Sequence, residues 1–110
     1  MKTSELIQKQ IDENPVIIYM KGTPDFPQCG FSANASAALK STGVPFAFIN
    51  VLEQQRIFQG LPEFSDWPTF PQIFMKGELI GGGDIVLEML KDGSLKPAME
   101  AAVNASNEVA

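Results

Sequence analysis

The chain has 110 residues, of which 45% are hydrophobic and 19% charged, values typical of one globular domain. Eight basic residues against thirteen acidic ones give a formal charge of −5, which makes nucleic acid and anionic membranes poor partners. The sequence has no histidine and one cysteine, Cys29, which excludes histidine-dependent hydrolysis, histidine-ligated metals, an internal disulfide and a four-cysteine metal site within one chain.

The N-terminal segment predicts an amphipathic helix over about residues 3–13, with Thr3 or Ser4 as its N-cap. This segment lacks the apolar core of a signal peptide, and no apolar run approaches the ~20 residues that cross a bilayer. We therefore expect a cytoplasmic protein without a membrane partner.

The following part of the chain predicts a β-α-β unit. Residues 16–20 form a short apolar run rich in β-branched side chains, which is typical of a strand buried on both faces. A loop over residues 21–28 leads to an alanine-rich helix over 30–42, which ends at Gly43. Residues 46–51 predict a second strand, and the helical crossover between the two strands requires them to pair in parallel.

The second half of the chain predicts a helix, a hairpin and two further helices. The predicted segments are a helix over 53–61, a proline-rich loop over 67–71, a hairpin with strands 72–76 and 79–80, a helix over 85–90 with Asp84 as N-cap, and a last helix over 95–103. We expect residues 104–110 to be a frayed tail. The fold class is α/β, with a mixed sheet of about four strands and helices on both faces, in one domain over 1–110.

Cys29 is the residue best placed to carry chemistry. It follows the loop and opens the second helix, where free backbone N–H groups and the helix dipole lower a thiol pKa, and Lys21 adds a cation. Cysteines often pack as small buried hydrophobic residues, but this position favours a reactive thiolate. Ser32 stands where a redox Cys-x-x-Cys pair has its second cysteine, so a resolving thiol must come from solution. Alternatively, the thiolate is a metal ligand and a partner supplies the remaining ligands.

Three separated motifs together resemble the CGFS-type monothiol glutaredoxins, over about residues 7–95. The motifs are Lys21-Gly22-Thr23-Pro24 leading to Cys29-Gly30-Phe31-Ser32, then Trp67-Pro68-Thr69-Phe70-Pro71-Gln72, then Gly81-Gly82-Gly83-Asp84. The resemblance implies a thioredoxin-like fold, glutathione as cofactor, and a [2Fe-2S] cluster bridging a homodimer. It also implies cluster transfer to acceptor proteins, a role in iron homeostasis with BolA-like partners, and weak or absent oxidoreductase turnover.

The resemblance assigns roles to the residues of the first two motifs. It makes Cys29 the cluster ligand, and the catalytic thiol if the protein is redox-active, while Lys21 contacts glutathione and the thiolate. The backbone of Phe70, just before a cis Pro71, would pair with the glutathione peptide like an added strand. For Trp67, packing is favoured over direct contact with the ligand.

In the third motif, Gly83 and Asp84 would bind the γ-glutamyl end of glutathione. Two plainer interpretations remain open at this stage. Asp84 also suits a simple helix N-cap, and the glycine triplet also suits a tight turn.

The number of sulfur ligands supports a shared cluster. A [2Fe–2S] centre is usually held by four sulfur ligands, and one chain offers only Cys29. Two chains and two glutathione thiols complete the set, which requires a two-fold axis with the cysteine exposed at the interface.

One departure from the family pattern concerns the third helix. The family usually has an arginine there that binds the glycine carboxylate of glutathione, and this sequence has Phe58 at that position. Arg56 lies two residues earlier and should point to a different face of the helix. Unless a loop shift recruits Arg56, we expect weaker glutathione binding and a more labile cluster without that pair. Gly83, where many relatives have cysteine, leaves Cys29 as the sole thiol.

Three functions are compatible with these residues. The first is an iron–sulfur carrier, which we favour because the long loop over 22–28 resembles that subgroup. The second is a glutathione-dependent monothiol oxidoreductase that deglutathionylates protein mixed disulfides. The third is a partner-binding scaffold without a cofactor, which would follow if Phe58 spoils the glutathione site.

Overall fold

The chain forms one four-stranded sheet and five α-helices within the residues that the computed structural model describes, which are 1–109 for the backbone and 1–105 for the side chains. In chain order the elements are α1 (Thr3–Glu13), β1 (Val16–Met20), α2 (Gly30–Ser41), β2 (Ala47–Asn50), a 3₁₀ turn (Val51–Glu53), α3 (Gln55–Ser65), β3 (Gln72–Met75), β4 (Glu78–Gly81), α4 (Gly83–Asp92) and α5 (Leu95–Val109). No helix over residues 1–109 has the length and apolar character needed to cross a membrane.

The sheet has the strand order β2-β1-β3-β4, with β1 and β3 in the centre. Strand β1 pairs in parallel with β2, as the helical crossover between them requires, and antiparallel with β3. Strands β3 and β4 form the predicted hairpin. The predicted mixed sheet is therefore confirmed.

Side chains of β1 alternate between two hydrophobic clusters, one on each face of the sheet. Ile17 and Tyr19 pack with α1 and α3 in one cluster. Val16, Ile18 and Met20 pack with α2, α4 and α5 in the other. Both faces are covered, so all five residues of this strand are buried, as the apolar run predicted.

The starts of two helices differ from the prediction. Helix α1 has Lys2 rather than Thr3 or Ser4 as N-cap, and the Lys2 backbone N–H donates to the Glu5 carboxylate at 3.2 Å. Helix α4 begins at Gly83 with Gly82 as N-cap. The prediction that Asp84 is an N-cap is therefore wrong, because glycine already supplies the extended backbone and Asp84 falls inside the first turn.

The ends of two helices also differ from the prediction. Helix α3 continues through Pro62 to Ser65, since a proline removes one helical hydrogen bond but leaves the following residues free to continue. It ends where Asp66 adopts a left-handed backbone with φ 54°. Helix α5 extends from Leu95 to Val109, past its predicted end near residue 103. Ala110 and the side chains of 106–109 lie outside the described residues, so fraying there stays a prediction.

Candidate functional site

The loops and helix starts at one end of β1 line an open cavity of about 670 Å³. Its walls are Lys21 after β1, Cys29 and Phe31 at the start of α2, Phe58 and Pro62 on α3, residues 67–71 before β3, and residues 82–84 at the start of α4. The five residues that the sequence singled out for the ligand and the cluster all line this one cavity; they are Lys21, Cys29, Phe70, Gly83 and Asp84. Their individual roles stay predictions.

Cys29 is the N-cap residue of α2, and its thiol is partly exposed. The backbone N–H of Ser32 does most to lower the pKa of this thiol; the N–H of Phe31, the charge of Lys21 and the Ser32 hydroxyl lower it further. Partial burial opposes them by raising the pKa, and the net direction is downward. The position at the helix start therefore favours the thiolate, as the sequence predicted.

Ser32 has a structural role that the sequence did not reveal. Its side chain is fully buried, and its Oγ accepts a hydrogen bond from the backbone N–H of Lys21 at 3.1 Å. This bond joins the end of β1 to the first turn of α2. The serine that replaces a second cysteine thus sets the spacing between the Lys21 backbone and Cys29.

The loop between Lys21 and Cys29 is held by its own hydrogen bonds. Gln28 donates its backbone N–H to the Lys21 carbonyl at 2.9 Å, and Gly22 donates to Asn50 Oδ1 at 2.9 Å. Gly22 has φ +92°, a backbone conformation that glycine adopts readily. Asn50, at the end of β2, is a second residue that the sequence analysis missed, because its partner lies 28 positions away.

The Phe70–Pro71 peptide bond is cis, as the resemblance implied, and both residues line the cavity. Trp67 also lines the cavity and is half-buried, so it serves as a wall as well as packing. The indole Nε1 of Trp67 is buried and has no hydrogen-bond partner within the described chain. A β-carbon built on Gly82 would lie 3.5 Å from this Nε1, so the start of α4 lies directly against the indole.

The start of α4 brings backbone close to α2 and to Pro71. A β-carbon on Gly83 would meet the Phe31 carbonyl oxygen at 3.4 Å and Pro71 Cγ at 3.8 Å. Asp84 is exposed in the first turn of α4, where a carboxylate suits the positive end of the helix dipole. The carboxylate and the backbone N–H groups of this turn are the polar groups at the α4 side of the cavity.

On the α3 side, the cavity wall is aromatic. Phe58 packs against Phe70 with ring centroids 5.5 Å apart, and Lys21 Nζ lies 5.9 Å from the Phe58 centroid. Arg56 is exposed and turned to α1, where it donates to the Met1 carbonyl at 2.6 Å and to Thr3 Oγ1 at 3.2 Å. Arg56 therefore does not replace the arginine that the family usually has near the ligand.

The lowered pKa of Cys29 predicts a measurable rate profile. Because the thiolate is the nucleophile, alkylation by iodoacetamide should reach half its maximal rate at a lower pH than for a cysteine in an unstructured peptide. Lys21→Gln should shift this midpoint upward by removing the nearby positive charge. Lys9→Gln, which removes an exposed cation of α1, is the charge-matched control. A midpoint unaffected by Lys21→Gln would contradict the role given to its charge.

Known proteins are similar to this chain in sequence and in fold. The glutaredoxin family model matches residues 16–80. Glutaredoxin 4 of Haemophilus influenzae (strain 86-028NP) is 53% identical over 96 residues, covering 87% of this chain and 90% of that protein. "Probable monothiol glutaredoxin GrlA" of Legionella pneumophila is 55% identical over 89 residues, covering 81% of this chain and 100% of that protein.

Among solved structures, reduced apo GrxS14 from poplar is similar with a TM-score of 0.76 and 45% sequence identity, over 90% of this chain and 91% of that one. The thioredoxin-like architecture implied by the sequence is thereby confirmed. A family match over more than half of the chain, together with relatives above 50% identity, shows the relationship directly. With Cys29 as its single thiol, this chain belongs to the glutaredoxin family as a monothiol member.

Proposed function

We propose that this protein binds glutathione in the cavity and carries a [2Fe–2S] cluster between two copies of the chain, for transfer to acceptor proteins. The observation that carries the proposal is the Cys29 thiol, partly exposed and lowered in pKa, at the wall of a 670 Å³ cavity. A thiolate that must bind an external thiol and a metal needs this combination of exposure and charge stabilisation.

The proposed glutathione site uses both ends of the cavity. The peptide would pair with the backbone of Phe70, in the manner of an added strand. Its γ-glutamyl end carries an ammonium and a carboxylate, which suit the Asp84 side chain and the N–H groups at the start of α4. Its thiol would then lie towards Cys29 and its glycine end towards Lys21.

The cluster is the cargo of this proposal, and the donor set fits it only if two chains share it. Within the described residues no group of three or more histidine, cysteine, aspartate or glutamate side chains could hold a metal ion. One chain therefore supplies one sulfur ligand, and the remaining three come from a second Cys29 and two glutathione thiols. The partial exposure of Cys29 is compatible with such a symmetric interface.

The proposal includes partners that follow from the family resemblance and a location predicted from the sequence. We propose a homodimer when the cluster is bound, acceptor proteins that receive the cluster, and a BolA-like partner in iron homeostasis. The formal charge of −5 argues against nucleic acid as a further partner. The cytoplasmic location stays a prediction from the sequence.

Anaerobic reconstitution tests the proposal. Wild-type protein mixed with iron, sulfide and glutathione is expected to become a brown dimer, with about one cluster per two chains. Absorbance, iron and sulfide content, and the mass from size-exclusion chromatography measure the outcome. Omitting glutathione is the control and should leave the protein colourless. A wild-type protein that stays colourless and monomeric with glutathione present would contradict the carrier function.

The same thiol supports a second candidate function, glutathione-dependent reduction of protein mixed disulfides. The low pKa of Cys29 favours attack on a glutathionylated substrate, and a second glutathione would then resolve the adduct, because Ser32 has no thiol. A steady-state assay with a glutathionylated peptide separates the two functions. Turnover well above the uncatalysed rate would favour the oxidoreductase function, and turnover near the uncatalysed rate would favour the carrier function.

A further inference from the structure

The α3 side of the cavity offers a ligand apolar contact in place of a charge. Phe58 and Pro62, four residues apart on the same face of α3, form this wall together with the ring of Phe70. Lys21 is the one cation among the described residues that line the cavity, and its Nζ lies over the Phe58 ring. A cation in this position is attracted by the face of the ring.

The charged groups around the cavity leave no surplus positive charge for an additional anion. Among the described residues that line the cavity, the positive charge of Lys21 is balanced by one carboxylate, that of Asp84. Lys21 Nζ already lies over the Phe58 ring, so this cation is shared before a ligand enters. Arg56 cannot join it without giving up its hydrogen bonds to Met1 and Thr3.

These charges act unequally on the two ends of a glutathione molecule. The γ-glutamyl end is a zwitterion, and Asp84 with the N–H groups of α4 can satisfy both of its charges. The glycine end is a lone carboxylate, which would lie against Phe58 with only the shared Lys21 to balance it. Desolvating a carboxylate against an aromatic wall is unfavourable unless a cation pairs with it.

We propose that Phe58 sets the selectivity of this site at the C-terminal end of the ligand, so that γ-glutamyl thiol peptides with a neutral C-terminal group, an amide or an ester, bind about as tightly as the free acid or more tightly. This inference rests on the proposed function, since it assumes that glutathione enters the cavity in the orientation given above. Phe58 is then a specificity-determining residue. Its ring forms no ion pair with the carboxylate of the free acid, and it contacts an uncharged C-terminal group without a loss of affinity.

Binding of three probes to wild-type protein tests the inference without any substitution. The probes are reduced glutathione, its C-terminal amide and its glycine ethyl ester, measured by anaerobic calorimetry with Cys29 kept reduced. The amide removes only the charge, and the ester also adds apolar surface. We expect the amide to bind within threefold of the free acid or more tightly, and the ester at least as tightly as the amide. A free acid that binds more than threefold more tightly than the amide would overturn the selectivity.

Matched variants test whether Phe58 causes this preference. Phe58→Arg should favour the free acid over the amide by about tenfold, through a new charged hydrogen bond to the carboxylate. Gln59→Arg places the same charge on an exposed neighbouring position outside the cavity lining and should leave the ratio unchanged. The inference would be overturned if the ratio of the affinities for the free acid and the amide changed equally in both variants, or did not change in Phe58→Arg. Phe58 would then not determine this ratio.

The outcomes also separate this inference from the proposed function. If wild type binds glutathione but strongly prefers the free acid, the glutathione site stands and the role of Phe58 fails. If wild type binds none of the three probes, the glutathione site itself is wrong and the inference falls with it. Thermal unfolding of each variant confirms that the affinities compare folded proteins.

Discussion

Cys29→Ser is expected to abolish cluster binding and leave a colourless monomer under reconstitution conditions that turn wild type brown. The serine hydroxyl is nearly the same size as the thiol, but it does not provide the thiolate ligand that iron–sulfur clusters require. Because each proposed dimer uses one Cys29 from each chain, the substitution removes two of the four sulfur ligands. We expect at least a tenfold drop in bound iron and the loss of the dimer peak in size-exclusion chromatography.

The fold should survive this substitution, since Cys29 is a partly exposed N-cap residue and serine is a favoured N-cap. An unchanged thermal midpoint confirms it. A double variant, Cys29→Ser with Ala101→Cys, keeps one thiol per chain but moves it to an exposed position of α5, away from the cavity. It should also stay colourless. Cluster binding by Cys29→Ser would show that Cys29 is not the ligand, and cluster binding by the double variant alone would show that the position of the thiol does not matter.

Gly22→Ala is expected to lower the free energy of unfolding by about 2–4 kcal/mol and to weaken glutathione binding. The backbone at Gly22 has φ +92°, which an alanine adopts only with strain. An added β-carbon would also lie 2.5 Å from the Phe26 carbonyl oxygen and 2.6 Å from the Gln28 backbone nitrogen. These are backbone atoms, so the loop itself must shift, and this loop sets the distance between Lys21 and Cys29.

Two further glycines separate the contributions of strain and steric clash. Gly93 has φ +87° with nothing within 4 Å of an added β-carbon, so Gly93→Ala should lose only about 1–2 kcal/mol. Gly30 lies in α2 with equally open space and no positive φ, so its alanine variant should be neutral or gain up to about 1 kcal/mol. Urea unfolding of the three variants measures the series. A Gly22→Ala loss no larger than that of Gly93→Ala would show that the loop relaxes away the steric clash and that only the strain of the positive φ remains.

The regular elements were predictable from local pattern alone. The five apolar residues of β1 indicated a strand buried on both faces, and the order of helices and strands required the mixed sheet that is observed. Errors fell at element ends, where competing signals are local and weak. The third helix was predicted to end at residue 61 but continues through Pro62 to Ser65, and Asp84 indicated a cap position that Gly82 occupies.

The site was predictable only in part, because its geometry depends on contacts between distant residues. Cys29 and Phe70, to which the resemblance assigns site roles, both line one cavity, and so does Phe58, which stands at the position where the family usually has an arginine. The bond between Asn50 and Gly22 could not be predicted, since nothing in either neighbourhood indicates the other. The partners of Arg56 could not be predicted either, because they lie 53 and 55 positions away, at the start of the chain.

The alternation of β1 side chains between two clusters also bears on how variants will behave. The helix that begins after Cys29 packs into one cluster, together with Met99, while the helix that carries Phe58 packs into the other through Leu61. Replacing Met99 by a smaller residue should therefore loosen the packing of α2 below Cys29. Replacing Leu61 by a smaller residue should loosen the packing of α3 below Phe58. Substitutions in one cluster can thus change the reactivity of the thiol, and substitutions in the other can change the affinity for the ligand, independently of each other.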